Sequence, residues 1–348
     1  MERVKKITKD NFYELVERLL ANYQVIAPVN KDGRVFYEYI SNSKEVDMEY
    51  KGHTLLPPKK FFFPEKEVLF TYEKLNGDII IYDKVQEIKE GRRVFLGIRP
   101  CDIMALKSLD KVLISEFKDP YYQARRENTI IIGLTCNEPT KYCFCAFTKT
   151  GPSINEGYDL LLTDLGHSYI VSIGSEKGLT LVKLNLDLFE EPSEEELKER
   201  DEILKTVEKE ILKQELPDLT NIYEAMLRNF NAEIWKEYGE KCLACGKCNY
   251  TCPTCRCFDI FDDPNLDFKS GKRVRVWDSC HFLSFTKVTS GEIFRKERPS
   301  RVKQRIYHKY CYSIYDEGSI SCVGCGRCID VCPAKIDIRE VARKVVSL

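Results

Sequence analysis

Residues 1–190 combine one amphipathic helical pattern with a series of short β-rich runs. In residues 11–20 the apolar side chains recur every three or four positions, which predicts one face of a helix with Asp10 or Asn11 as its N-cap. Short runs bounded by Gly, Pro, Asn and Asp predict strands of one sheet; they are residues 24–28, 68–72, 78–82, 94–98, 129–134, 159–163 and 169–173. The pattern therefore predicts a mixed α/β domain over residues 1–190.

A longer helical pattern follows these runs. Ser193 precedes three glutamates, an arrangement typical of a capped helix start. An apolar stripe at helical spacing then continues to Pro217, so we interpret residues 191–220 as a helical linker. Residues 222–238 predict one further helix, which leads into a cysteine-rich segment. We therefore expect a second, α-helical domain at residues 221–348.

The composition indicates a folded protein and directs attention to cysteine. The chain has 348 residues, 43% of them hydrophobic and 31% charged, and its 54 Lys and Arg nearly balance 55 Asp and Glu. This balance gives no reason to expect a nucleic-acid partner. The start of the chain lacks the apolar core of a secretory signal and no apolar run is long enough to span a membrane, so we expect a cytoplasmic protein without a membrane partner. In that reducing compartment, the 16 cysteines favour metal ligation over disulfides.

One cysteine pattern occurs twice. Cys-x2-Cys-x2-Cys-x3-Cys-Pro begins at Cys242 and again at Cys322, and this spacing is typical of bacterial ferredoxins with two 4Fe–4S clusters. The first three thiolates of each run bind one cluster and the fourth binds the other. The pattern therefore predicts a ferredoxin-like domain with two ligand sets: Cys242, Cys245, Cys248 and Cys332 for cluster 1, and Cys322, Cys325, Cys328 and Cys252 for cluster 2. The alternative is a pair of structural zinc sites, although zinc ligands usually occur as Cys pairs with a wider gap between them.

The segment between the two motifs is rich in positive charge. Its polar pattern indicates helices rather than the short hairpins of a compact ferredoxin, and residues 269–309 contain twelve Lys or Arg against three Asp or Glu. Two interpretations remain open: a solvated face that also offsets the charge of anionic clusters, or a docking surface for an acidic partner subunit. Nucleic-acid binding has little support, because there is little aromatic interleaving beyond Phe294 and Tyr307.

Four further cysteines lie in the first domain. Cys101 and Cys136 each follow a predicted strand, so both should emerge at the same kind of strand end, and Cys143 and Cys145 lie in the next loop. Four thiols at one sheet edge supply the ligand count of a third 4Fe–4S cluster. Zinc and unligated thiols remain the alternatives, because the spacing is irregular.

The last four cysteines are harder to assign. Cys255 and Cys257 continue directly from the first motif, and with Cys280 and His281 they could supply another metal site. The alternative is that they are buried free thiols, which pack as small hydrophobes. Cys311 has no assigned role. The histidines at positions 53, 167, 281 and 308 form no ligand pair at helical spacing.

The sequence lacks the common motifs for binding or converting a substrate. There is no dinucleotide-binding G-x-G-x-x-G after a strand, no phosphate-binding P-loop and no G-x-S-x-G nucleophile motif. We therefore expect no catalytic residue in this chain. The simplest interpretation is an electron conduit, because iron–sulfur clusters pass single electrons without binding substrate.

Several stretches carry a family resemblance that spans nearly the whole chain. They are LPPKKFFF at 56–63, PCDI at 100–103, YCFC at 142–145, KCLACG at 241–246, TCPTCRC at 251–257, WDSC at 277–280 and CVGCGRC at 322–328. With these stretches the sequence resembles the beta subunits of archaeal cytoplasmic sulfhydrogenases, which are NADP-linked nickel–iron hydrogenases. It resembles more distantly the electron-transfer subunit of anaerobic sulfite reductase.

This resemblance implies an iron–sulfur subunit that relays electrons between a flavoprotein subunit, which binds FAD and NAD(P)H, and the small and large subunits of a nickel–iron hydrogenase. The first-domain cysteines fall on the family pattern, which strengthens the prediction of a third cluster, and so do Cys255, Cys257 and Cys280. Residues 59–63 are either a subunit interface or a core strand. The alternative function is the equivalent subunit of a sulfite reductase or another flavin-linked oxidoreductase. A nucleic-acid or scaffold protein with structural clusters is a third hypothesis.

Overall fold

The computed structural model describes residues 4–214, 216 and 219–348. The strands in these residues are β1 (Val4–Thr8), β2 (Gln24–Lys31), β3 (Arg34–Tyr39), β4 (Lys66–Leu75), β5 (Asp78–Asp83), β6 (Arg93–Ile98), β7 (Thr129–Leu134), β8 (Leu160–Asp164), β9 (Ser168–Ile173), β10 (Phe258–Pro264) and β11 (Ser270–Trp277). The helices are α1 (Lys9–Leu20), α2 (Val85–Glu90), α3 (Pro100–Leu113), α4 (Pro120–Glu127), α5 (Glu176–Leu184), α6 (Glu194–Leu212), α7 (Ile222–Arg228), α8 (Ile234–Lys241), α9 (Lys247–Tyr250), α10 (Arg298–Tyr310), α11 (Tyr312–Glu317), α12 (Arg327–Asp330) and α13 (Ile338–Ser347).

Seven strands form the larger sheet, in the order β1-β9-β8-β7-β6-β2-β3. Strands β2, β6, β7 and β8 run parallel to one another. β3 pairs antiparallel with β2, β9 with β8, and β1 with β9. β6 is buried along its whole length, as expected of a parallel strand between two helical layers. Its residues Val94 and Leu96 pack with α1 and α5, whereas Phe95 and Ile98 pack with α3 and α4 on the other face. The mixed α/β prediction is confirmed, although β1 and β3 are not among the predicted strands.

A second sheet has the order β10-β11-β4-β5, and here one prediction is wrong. The runs at 68–72 and 78–82 do form strands, but they belong to this sheet rather than to the first. β4 pairs with β11, so that Val68 faces Val274. Local patterns predict a strand but not its partner, because pairing depends on residues that are distant in the chain. This sheet joins the predicted domains 1–190 and 221–348, since each supplies two of its strands.

The segment between the two cysteine motifs is only partly helical. Residues 298–310 form α10, but residues 258–264 and 270–277 are strands, so the helical prediction is wrong there. Every residue of β10 is exposed, and its Asp262 forms a cross-strand ion pair with Arg273 of β11 (2.8 Å). Both strands mix charged and apolar residues, so composition alone did not distinguish this hairpin from a polar helix.

The predicted helical linker contains α6, and its start is capped as expected. The Ser193 hydroxyl accepts a hydrogen bond from the Glu196 backbone, and the Glu196 carboxylate accepts one from the Ser193 backbone. Pro217, the predicted end, lies outside the described residues. The single helix predicted over 222–238 is two helices, α7 and α8, which separate at Asn229. The Asn229 carbonyl accepts a hydrogen bond from the Trp235 indole (2.8 Å), which stabilises the break.

The second half of the chain has its own helical core. α7, α8, α10 and α13 bury a shared set of apolar side chains, with Tyr307 at its centre. The Tyr307 hydroxyl donates a hydrogen bond to the Met226 carbonyl (2.6 Å), so the buried phenol is satisfied. Phe144, from the loop after β7, packs into the same core. The helical part therefore contacts the loop that carries two of the first-domain cysteines.

Candidate metal centres

The two cysteine motifs adopt the same local structure. In the first, Ala244 and Gly246 have positive φ (53° and 73°), and α9 follows at once. In the second, Gly324 and Gly326 have positive φ (62° and 79°), and α12 follows. These left-handed residues turn the chain between successive cysteines, as closely spaced ligands of one centre require. The repeat in sequence is therefore also a repeat in structure.

Thiols of both motifs line each of two cavities. The residues around one cavity include Cys252, Cys322, Cys325 and Cys328. Those around the other include Cys242, Cys245, Cys248 and Cys332, and Cys328 as well. Each set that the spacing predicts therefore lies around one cavity, and Cys328 lines both. Each set supplies four thiols, the donor type and number of one 4Fe–4S cluster.

Two buried cations of α10 lie beside these thiols. Lys309 donates a hydrogen bond to the Thr254 hydroxyl (2.7 Å), and Arg305 donates one to the Asn249 side chain (2.5 Å). Burial raises the pKa of Cys252, but Lys309 and then Arg305 outweigh it and lower this pKa to about 7. Arg305 and Lys309 are buried, so they do not belong to the solvated face that the first interpretation of the basic segment describes. They do offset negative charge on the thiols, which is the other part of that interpretation.

Most of the other thiols in these sets resist ionisation. Burial raises the pKa of Cys248 and that of Cys325 to about 12, and the pKa of Cys328 to about 11. Thiolate is the form that ligates a metal, so binding must release protons from these groups. Within residues 4–214, 216 and 219–348, no three His, Cys, Asp or Glu side chains are arranged as ligands of a single metal ion.

The structure also brings the four first-domain cysteines together. Cys101 follows β6 and Cys136 follows β7, and because these parallel strands are neighbours their ends meet at one sheet edge. Cys143 and Cys145 lie in the loop beyond, and all four thiols are buried. Burial raises the pKa of Cys145, and the neighbouring Cys143 and Cys136 thiols raise it further. The four residues thus form a compact thiol-rich site.

This site lies directly against the second motif. The Phe144 backbone donates a hydrogen bond to the Gly324 carbonyl (2.7 Å), and the Thr150 hydroxyl donates one to the Val323 carbonyl (2.8 Å). A Cβ at Gly324 would lie 2.6 Å from the Cys145 nitrogen, so this close approach requires glycine. Cys325 packs against Cys101 and Cys145. The thiols of the first domain and those of the second motif are therefore neighbours.

A buried ion pair crosses the same contact. Arg327 and Asp102 form two hydrogen bonds of 2.7 Å each, and neither side chain is exposed (0% for both). Asp102 follows Cys101, and Arg327 lies between Cys325 and Cys328. Both residues stand in the stretches that carry the family resemblance, but no local sequence pattern relates one to the other.

The remaining candidates separate into different places. Cys257 contacts both Cys255 and Cys280, whereas His281 lines the cavity of the Cys242 set instead. Cys311 lies in the helical core. Lys59 is 2% exposed, and Phe62 and Phe63 are fully buried behind a short 3-10 turn, Pro58–Phe61. Lys59, Phe62 and Phe63 are therefore buried, Lys60 and Phe61 are partly buried, and the segment does not form the core strand that was one of its two predicted roles.

Comparison with known proteins agrees with this geometry. A model of the 4Fe–4S dicluster domain matches residues 241–336, which contain both motifs. This match defines the class as an iron–sulfur protein with an electron-transfer role. Sulfhydrogenase 2 subunit beta of Pyrococcus furiosus is 35% identical over 99% of this chain and 98% of its own length. The chain belongs to the family of sulfhydrogenase beta subunits.

A more remote relative matches part of the chain. The F420-dependent formate dehydrogenase subunit beta of Methanocaldococcus jannaschii is 25% identical over 50% of this chain and 38% of its own length. Here the chain spans well under half of the relative. Among the described residues, no helix combines the length and apolar character that crossing a membrane needs.

Proposed function

We propose that this chain relays electrons between a flavoprotein subunit, which binds FAD and NAD(P)H, and the small and large subunits of a nickel–iron hydrogenase. Support comes from the full-length similarity to a protein named sulfhydrogenase 2 subunit beta, since that name implies both a hydrogenase reaction and further subunits. The electron-transfer role needs no substrate pocket in this chain. The catalytic groups are accordingly assigned to the partners.

We further propose three 4Fe–4S sites. Cys242, Cys245, Cys248 and Cys332 hold cluster 1; Cys252, Cys322, Cys325 and Cys328 hold cluster 2; and Cys101, Cys136, Cys143 and Cys145 hold cluster 3. The cavity-lining sets support the first two, and the shared burial of four thiols at one sheet edge supports the third. When bound, such clusters accept and release one electron at a time.

One observation carries the idea of a continuous route. The Phe144 backbone bonds to the Gly324 carbonyl, which makes the third thiol set contiguous with the second. Cys328 borders the cavities of both motif sets, so the first and second are contiguous as well. At the free end of this series, Cys245 is exposed and Leu243 is 61% exposed. We propose that one partner subunit docks at that end.

The first test is iron and acid-labile sulfide per chain, measured on protein purified without oxygen, together with low-temperature EPR. We expect about twelve iron, at four per cluster. The variant Cys101→Ser/Cys136→Ser should retain about eight, while Cys311→Ser should retain all twelve. About eight iron in the unmodified chain would overturn the third site.

The second test concerns the partners. The isolated chain should not oxidise hydrogen, and it should restore NAD(P)-linked activity when returned to the copurified flavoprotein and nickel–iron subunits. Activity that survives quantitative loss of iron from this chain would overturn the relay. A sirohaem-containing partner in the purified complex would instead indicate the sulfite reductase alternative.

A further inference from the structure

Three thiols outside the proposed cluster sites are brought together by the β10–β11 hairpin. Cys257 immediately precedes β10, and Cys280 is the third residue after β11. The pairing of Phe258 with Trp277 closes the open end of the hairpin, and the Asp278 backbone donates a hydrogen bond to the Cys257 carbonyl (3.0 Å). Residues far apart in sequence therefore meet at this end of the second sheet.

The three thiols form a connected series. The Cys257 thiol lies close enough to Cys255 and to Cys280 that each of them shifts its pKa. The Cys280 sulfur also accepts a hydrogen bond from the Asn249 side-chain amide (3.2 Å). Cys255 is 8% exposed and Cys280 is 4% exposed. These contacts favour the thiolate at Cys280, because two donors point at its sulfur.

Two buried cations flank this series. The Lys59 ammonium lies 3.1 Å from the Cys255 carbonyl and 3.6 Å from the centre of the Trp277 ring, and within the described part of the chain no carboxylate forms an ion pair with it. Arg305 reaches the other side through Asn249, to which it donates a hydrogen bond (2.5 Å). Burial lowers the pKa of Lys59, and the neighbouring Cys255 and Cys252 thiols act in the opposite direction. The cation and the thiols are therefore electrostatically coupled.

The thiol series also adjoins the proposed cluster 2. The Cys255 backbone donates a hydrogen bond to the carbonyl of Cys252, which belongs to that ligand set. Asn249, which contacts Cys280, lies on α9 between Cys248 and Cys252. One-electron carriers and a group of adjacent thiols therefore share the same short segment of backbone.

Two neighbouring thiols can form a disulfide. Cys257 and Cys280 are neighbours at the end of the hairpin, where the Asp278 backbone bonds to that of Cys257 and each of the two thiols shifts the pKa of the other. Outside oxidising compartments, disulfides are mostly transient and take part in redox chemistry.

We propose that Cys257 and Cys280 form a reversible disulfide that stores an electron pair supplied by the iron–sulfur clusters of this chain. In reduction the S–S bond breaks, two electrons arrive singly from reduced clusters, and two protons from solvent yield two thiols. In oxidation the S–S bond forms, both electrons return to oxidised clusters, and both protons leave. The proposal rests on the proposed cluster sites.

The test is differential alkylation of the full chain, purified without oxygen. Samples are poised at a series of potentials with small-molecule mediators and quenched in acid. Free thiols are then alkylated with one reagent, the first label, while the protein is denatured. After reduction, the thiols released from disulfides are alkylated with an isotopic variant of that reagent, the second label. We expect Cys257 and Cys280 to carry the second label together at high potential and the first label at low potential, along a two-electron Nernst curve. Both residues carrying the first label at every potential would overturn the disulfide.

Variants separate this proposal from its alternatives. In Cys257→Ser, Cys280 should carry the first label at every potential while the iron content stays unchanged. Cys311→Ser, a buried thiol of the helical core, should leave the curve of the unmodified chain unaltered. Loss of iron, or of stoichiometric zinc, in Cys257→Ser would assign these thiols to a metal site and overturn the disulfide. If Cys257→Ser does not fold, the labelling of the unmodified chain still shows whether Cys257 and Cys280 form a disulfide.

The same samples distinguish failure of this proposal from failure of the proposed function. EPR signals of reduced clusters without any paired labelling would overturn the disulfide and leave the cluster relay intact. Absence of both cluster iron and cluster EPR signals would overturn the relay, whatever the labelling shows, and with it the proposed source of the electron pair.

Discussion

The guanidinium of Arg327 and the carboxylate of Asp102 meet through two parallel hydrogen bonds in a place that solvent does not reach. Arg327 also donates a hydrogen bond to the Thr54 carbonyl (2.8 Å), so three separate segments are joined at one side chain. The pair holds the first turn of α3, which contains Cys101, against the start of α12, between Cys325 and Cys328. It therefore sets how the third thiol site and the second motif lie relative to each other.

Breaking this pair on one side should be costly. Asp102→Asn leaves the buried Arg327 charge uncompensated, so we expect the free energy of unfolding to fall by about 3–5 kcal/mol. Urea denaturation without oxygen measures it. Asp262→Asn is the matched control, because Asp262 pairs with Arg273 on the surface, where such a pair contributes about 1 kcal/mol or less. Equal losses in the two variants would contradict the structural role of the buried pair.

Gly324→Ala should damage the contact between the two thiol-rich regions. Its φ of 62° already disfavours alanine, and the new methyl group would lie 2.6 Å from the backbone of Phe144 and Cys145. Gly318 has a similar φ of 73° but no heavy atom within 4 Å of a Cβ there. Gly318→Ala should therefore cost about 1–2 kcal/mol from backbone strain alone, and Gly324→Ala should cost more and also lower the iron content. The idea fails if both variants retain the same iron and stability.

Lys309→Met should lower the reduction potential of the proposed cluster 2. A unit charge at roughly 8 Å and an effective dielectric constant of about 20 contributes about 2 kcal/mol, and its removal favours the oxidised, less negative state. EPR-monitored titration should show a shift of several tens of millivolts to lower potential. Lys296→Met, at an exposed position, should leave the potential nearly unchanged. A shift of equal size in both variants would argue against a specific effect of Lys309.

His53 should make the protein less stable in mild acid. Desolvation of its ring, followed by the charge of Arg327, lowers the pKa of His53 to about 3. In the unfolded chain the ring protonates near pH 6.5, so the unfolded state binds the extra proton between about pH 6.5 and 3. Stability should therefore fall as the pH drops through this range, by up to about 1.4 kcal/mol per unit from this residue.

The variant His53→Asn isolates that contribution. Between pH 6.5 and 5 its free energy of unfolding should depend less steeply on pH than that of the unmodified chain. The difference in slope should correspond to about one proton fewer taken up on unfolding. His167→Asn is the control, since the His167 side chain is 64% exposed. Urea unfolding at several pH values gives both slopes. An unchanged slope in His53→Asn would contradict the neutral state of this partly buried ring.

Local sequence patterns predicted several helices and the cysteine motifs of this protein. The periodicity of residues 11–20 predicted α1, and the Ser193–Glu196 capping box predicted the start of α6, because such signals act within one or two turns of backbone. The two Cys-x2-Cys-x2-Cys-x3-Cys-Pro runs predicted a domain with two iron–sulfur clusters, and the match of a 4Fe–4S dicluster model to residues 241–336 agrees. Cys101 and Cys136 could be expected to meet, because both follow strands that read as neighbours in one sheet.

The tertiary structure decided what local pattern does not contain. The pairing of β4 with β11, the ion pair of Asp102 with Arg327, and the approach of Gly324 to Phe144 each join segments from distant parts of the chain. Strand partners, buried charge pairs and close backbone contacts depend on both segments at once, and neither carries a signal for the other on its own. The sequence by itself determined the chemistry of the thiols, and the fold determined which thiols are neighbours.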